Sequence, residues 1–204
     1  MSRINQRRRT VISAALACAL SPSLLWASQR EETLADKVAS TMRRSVNNVS
    51  PARLVFSTPQ AGRQWLYEMS ARLAKFIPDA RERETILINV QYEAKRAGLD
   101  VQLILGLIEV ESMFRRYAIS GVGARGLMQV MPFWVRHIGT SGHNLFEIRT
   151  NLRYGCTILR YYIDRERGDI TRALARYNGS LGRMTYPNKI YAAMRRNWIY
   201  NGAV

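Results

Sequence analysis

The stretch Leu103–Met131, LILGLIEVESMFRRYAISGVGARGLMQVM, decides how the rest of the chain is read. Its first part is an apolar segment carrying two glutamates, followed by a glycine-rich turn and the start of a second helix. On a helix of about 100° per residue, Val101, Leu103, Ile104, Leu105, Leu107, Ile108, Val110 and Phe114 cover most of the circumference of residues 101–114. One narrow polar sector is left, holding Gln102, Gly106 and Glu109, so Glu109 is expected to face water. Glu111 falls between Ile104 and Leu107, inside the apolar arc. A carboxylate among apolar side chains is costly when ionised, so its pKa rises and it keeps its proton. A carboxylic acid still protonated near neutrality is what general-acid catalysis needs. The helix alone fits equally well a buried structural ion pair between Glu111 and an arginine such as Arg125.

Outward from the helix, the string continues as Glu111-Ser112 and then Ser120-Gly121-Val122-Gly123-Ala124-Arg125-Gly126-Leu127-Met128-Gln129-Val130-Met131-Pro132. Further on stand Asn151-x-x-x-Gly155, then Tyr177-Asn178-Gly179, then Tyr186-Pro187-Asn188-Lys189-Ile190. In this order the motifs resemble the catalytic core of the family 1 lytic transglycosylases, the soluble lytic murein transglycosylase type. The resemblance covers roughly residues 84–200. It implies an all-α, lysozyme-like helical domain in which Glu111 is the single catalytic acid and base. It also implies that Tyr177 and Asn178 line the cleft beside the acid and that Tyr186 faces it. The chain departs from the family pattern in one place: Gly179 follows Asn178 directly, where one residue usually intervenes.

The glycine turn then reads as one wall of a saccharide cleft that includes Ser120. Gln129 brings both a donor and an acceptor for sugar hydroxyl and acetamido groups, and Met128 an adaptable apolar surface for a sugar face. The reaction implied is cleavage of the β-1,4 bond between N-acetylmuramic acid and N-acetylglucosamine in peptidoglycan, closing a 1,6-anhydro ring without water. Ordinary glycosidases use two carboxylates, and the motifs here supply one. No metal and no cofactor are expected: His137 and His143 lack ligand-like spacing, and no metal motif is present.

The flanks set compartment and organisation. Arg3, Arg7, Arg8 and Arg9 precede an uncharged run from Val11 to Ala27 interrupted by Pro22, the pattern of a secretory signal with a cut after Ala27. A lipidated Cys18, a twin-arginine route or an uncleaved anchor are variants of the same reading, export to the periplasm with membrane association only through the signal or anchor. Without those 27 residues, which carry four arginines and no acid, the net charge falls from +16 to +12. For an exported chain, such a balance points to the carboxylates of wall peptides and to anionic surfaces rather than to nucleic acid. Glycan strands are the expected partner, with a cell-envelope or secretion-apparatus protein as a further candidate.

Residues 28–78 read as an N-terminal helical arm and linker, ahead of a lysozyme-like domain over 79–204. Leu34, Val38, Met42 and Val46 recur every four positions, a marginal helix or an arm that docks on a partner. Asp79, Asp100 and Asp169 are placed to cap the helices that follow them, and Pro78 and Gly98 to end those before. Cys156, with Leu152, Leu159 and Ile163, has the spacing of a core residue.

Overall fold

The computed structural model describes residues 29, 31 and 33–202, so the expected export signal, Cys18 and the cut after Ala27 lie outside the described part. Among the described residues the fold is all-α. Eight α-helices run α1 Asp36–Val46, α2 Pro59–Leu73, α3 Ala80–Arg96, α4 Val101–Ser112, α5 Phe133–Ile138, α6 Ile148–Arg165, α7 Ile170–Tyr177 and α8 Thr185–Ala193. A π-helical turn, Met194–Trp198, closes the order. No described helix is long and apolar enough to cross a membrane.

Helix α4 forms because Asp100 accepts from the amides of Gln102 (2.7 Å) and Leu103 (3.4 Å), satisfying donors the first turn would leave open. It stays in place because it is apolar nearly all round, which only a fully enclosed helix tolerates. Ile104, Leu105, Leu107 and Ile108 are wholly buried, each contributing about 1.5–3 kcal/mol relative to exposure. Helices α3 and α8 and the π-helical turn surround it. Asp79 caps α3 through the Glu82 amide (2.7 Å) and Asp169 caps α7 through the Arg172 amide (2.9 Å).

The helix ends at Ser112 rather than running through Phe114. Met113 and Phe114 both take positive φ, 50° and 61°, a conformation uncommon for residues with a Cβ and costing on the order of 1–3 kcal/mol each. What holds the turn there is the packing of Phe114, since Met113 is exposed. The Phe114 ring is buried between Phe76 and Trp198, with centroids 5.3 and 5.2 Å away.

The arm docks on its own chain. Met42 and Val46 of α1, and Trp65, Met69 and Leu73 of α2, belong to the same hydrophobic cluster as the helices of the 79–204 region. Helix α1 lies against α5 and α6. Beneath it, the fully buried Glu93 receives Arg96 (2.6 Å) and Arg153 (3.2 Å), with Arg149 at 3.7 Å. The two nearer arginines reach on to α1, Arg96 to the Ser45 hydroxyl and Arg153 to the Val46 carbonyl. The ionic node therefore joins α1, α3 and α6, and none of its charges is left buried without a counter-charge.

Candidate active site

Glu111 sits on the last turn of α4, half-buried, with the hydroxyl of Tyr186 donating to its Oε1. Enclosure by protein pushes its pKa up to about 7, against the opposing effect of that hydrogen bond. Desolvation disfavours the charged form, whereas a donor to the carboxylate favours it; here desolvation wins. Arg125 does not pair with it: that side chain is exposed and lies over the Phe146 ring. Among the described residues no arginine takes its place as an ion-pair partner of Glu111.

Tyr177 completes the group. It is buried, it donates to the Met128 carbonyl (2.7 Å), and its own pKa is raised well above the ordinary value by burial and by the nearby Glu111 charge. Tyr186 is raised in the same way, so both phenols remain donors near neutrality. Glu111, Tyr186, Tyr177 and the Met128 backbone thus form one connected set. Asn178, at the C-cap of α7, stands half-buried beside it.

The departure at Gly179 has a local explanation. Gly179 takes φ 77°, its amide donates to Arg176 O (2.9 Å), and the Ser180 amide donates to Ala175 O (2.7 Å). This is the left-handed helix stop that glycine favours. The missing spacer residue lets Gly179 end α7 immediately after Tyr177 and Asn178.

The glycine turn differs from expectation. No second helix begins before Phe133. Instead isolated bridges join Ile119 to Arg125 and Arg125 to Val130, because Gly126 and Gln129 both adopt positive φ (73° and 47°). A Cβ at Gly126 would lie 2.5 Å from the Leu145 carbonyl, so the position has room for nothing larger. Ser120 is engaged in closing the turn, its hydroxyl accepting from the Ala124 amide (3.0 Å). Gln129 donates to the carbonyls of Ala118 (3.2 Å) and Gly126 (2.9 Å), so its donor end holds the turn together. Met128 corrects the reading of a sugar-facing side chain. It is fully buried with its sulfur against Gly155 of α6, and only its backbone reaches the Tyr177 side.

Two residues that position this wall escaped the reading of the motifs. Ser112, buried, donates to the Leu127 carbonyl (2.8 Å) and so ties the end of α4 to the turn. Asn151 accepts from the Met128 amide (2.8 Å) and donates to Arg125 O (2.8 Å) and Leu145 O (2.9 Å). Both stood inside quoted motifs, Glu-Ser and Asn-x-x-x-Gly. Spacing alone does not say that their partners are backbone groups distant in sequence.

Glu109 is the clearest correction. It does not face water. Its carboxylate accepts from Trp198 Nε1 (2.8 Å), from Asn197 Nδ2 (2.9 and 2.8 Å) and from Arg196 (2.7 Å). The rest of the polar sector shares this fate. Gln102 exchanges hydrogen bonds with the Tyr200 backbone, and Gly106 lies against the Ile190 and Met194 backbone. The sector is a docking strip for the C-terminal segment.

The class this defines is a helical domain whose half-buried glutamate keeps its proton to near neutrality between two tyrosines. The chain belongs to the transglycosylase SLT family, whose domain model matches residues 88–198. It is similar to the transglycosylase of Enterobacteria phage PRD1, 34% identical over 100 residues covering 46% of this chain and 37% of the relative. It is also similar to the membrane-bound lytic murein transglycosylase C of Actinobacillus pleuropneumoniae, 35% identical over 123 residues, covering 55% of this chain and 32% of the relative. The chain thus spans about a third of the length of these curated relatives. A solved structure of an inactive mutant of lytic transglycosylase Slt from Pseudomonas aeruginosa matches with TM-score 0.44 and 24% identity, over 77% of this chain and 32% of that one.

Proposed function

We propose that the protein is a peptidoglycan lytic transglycosylase acting on the β-1,4 bond between N-acetylmuramic acid and N-acetylglucosamine, with Glu111 as its only acid and base. The observation that carries this reading is the state of Glu111: its pKa is raised to about 7 by burial, with Tyr186 poised on the carboxylate. A proton held to near neutrality is available for the glycosidic oxygen. Once it is given up, the Tyr186 hydroxyl stabilises the carboxylate, which then takes the proton of the substrate's 6-hydroxyl as that oxygen closes onto the anomeric carbon. The substrate acetamido group assists the developing positive charge. The neighbouring carboxylate on the helix, Glu109, is turned away and saturated with donors, which supports chemistry with one carboxyl group. Ser120, Gln129, Asn178 and the Met128 backbone are assigned to the walls of the glycan cleft. The family membership and the names of the relatives support murein as the substrate, and the membrane-bound relatives favour action in the periplasm at the membrane.

Mass analysis of muropeptides released from purified sacculi tests the proposal. Products 18 Da lighter than hydrolytic ones, and resistant to borohydride at their muramic end, are expected. Reducible ends would make the protein a hydrolase, and intact sacculi would remove the activity altogether.

A further inference from the structure

The side of α4 that carries Glu109 leads out to a cationic groove. It lies between α2 and the C-terminal segment, has a volume of about 470 Å³, and is lined by Arg72, Lys75, Arg195, Arg196, Asn197 and Ile199. Most of its cations are held from within the fold. Arg196 meets Glu109 beneath it (2.7 Å), yet its side chain is 64% exposed. Lys75 donates to Asn197 Oδ1 (2.6 Å), and the Asn197 amide goes to Glu109. Arg72 donates to the carbonyls of Asn197 and Ile199 and has Glu68 at 3.5 Å. The acids at this groove, Glu109 and Glu68, are thus already engaged. Arg195 is exposed and makes no hydrogen bond or ion pair among the described residues. The rim adds Ile199, 40% exposed, and Tyr67, 79% exposed and two helical turns before Lys75. Arg63, exposed, stands one turn before Tyr67.

We propose that this groove and its rim are a docking surface for the head groups of anionic phospholipids. Cations held ready by the fold meet the phosphates of a negatively charged leaflet, which attracts each Lys or Arg near it. Tyr67 and Ile199 supply the amphipathic ring and the apolar side chain that suit the head-group level. The carboxylates of a wall peptide fit less well. Glu109 and Glu111 point about 200° apart around α4, so a peptide carried by a strand at Glu111 lies on the far side of the helix from the groove. Docking at the groove therefore turns Glu111 away from the bilayer and toward the wall. The docking stands whatever the reaction; the orientation of the cleft rests on the proposed function.

The test sediments the full chain with vesicles of phosphatidylglycerol in phosphatidylcholine, beside Arg63→Gln, Arg195→Gln and the double variant. Neither arginine has a hydrogen bond or ion pair to lose among the described residues, so the fold is retained. Each single change lowers vesicle affinity about fivefold, the worth of one cation near an anionic leaflet, and the double variant loses more. Muropeptide release without vesicles stays at the parent's rate. Hydrogen exchange on the vesicles reads the place: amides of residues 63–75 and 195–201 gain protection, and those of 119–130 do not. Equal vesicle affinity in all variants, or protection confined to other segments, overturns the docking surface. If sodium phosphate releases the protein far better than chloride at equal ionic strength, the groove is a site for free phosphate and the lipid proposal fails. If the variants lose binding to sacculi and keep binding to vesicles, the occupant is the wall's carboxylates and the proposal fails again. Glu111→Gln binds vesicles as the parent does, so the docking and the proposed reaction stand or fall separately.

Discussion

Glu109 and Glu111 stand two residues apart on one helix, about 200° apart around its axis, and the protein treats them in opposite ways. Glu109 is 8% exposed and meets three side-chain donors, one of them the indole of the wholly buried Trp198. Glu111 is the more open of the two, yet among the described residues a single donor reaches it and its proton is held to about pH 7. Exposure by itself therefore does not single out the candidate acid. The donors arranged around each carboxylate distinguish the two, because each one offsets the hydration the charged form has lost.

The largest expected break in this comparison is Glu111→Gln, which keeps shape and glycan affinity but cannot donate a proton. Release of muropeptides should fall by at least ~10²–10⁴-fold, with the circular dichroism spectrum unchanged. Loss of the fold in this variant would instead make Glu111 structural.

Glu109→Ala should act on stability. It strands the Trp198 indole and the Asn197 amide, at about 1–3 kcal/mol for an unsatisfied buried donor. For a chain of this size each kilocalorie lowers Tm by roughly 2–4 °C. Thermal melts measure it. A melting point equal to that of the unchanged protein would mean that the Glu109 contacts contribute nothing.

Glu111→Gln has a second, opposite signature. A carboxyl group whose folded pKa lies above its unfolded value of 4.5 leaves the folded state holding the extra proton. Stability is thus lost as pH rises from about 4.5 to about 7, and below that window the group is neutral in both states. The variant should accordingly be more stable than the parent at pH 8, by up to about 3 kcal/mol, with the advantage gone at pH 4. Urea titrations at the two values check the sign, which for Glu109→Ala is destabilising at pH 8.

Tyr186→Phe gives the smallest and finest effect. Removing a donor to the carboxylate raises the Glu111 pKa further, so the alkaline limb of kcat/KM, expected near pH 7, should move upward by a fraction of a pH unit to one unit. A downward move would show that Tyr186 stabilises the protonated acid instead.

Much of this was legible in the chain itself. Asp79, Asp100 and Asp169 stand directly before their helices, and capping depends on a side chain and amides two or three residues apart. The apolar coverage of residues 101–112 required a buried helix, and the motif string around Glu111 and Tyr186 brought the acid and its partner into one cleft. Local spacing carries such features because the groups that decide them are near in sequence. The tertiary structure alone decided the rest. The sector of Gln102, Gly106 and Glu109 looks solvent-facing until residues 190–200 fold over it, some 90 positions later. The Met128 side chain turns inward because Gly155 on α6 leaves a hollow there. The stripe on α1 meets α5 and α6. In each case the local pattern specifies a polar or apolar face, and what covers that face is set by packing between segments distant in the chain.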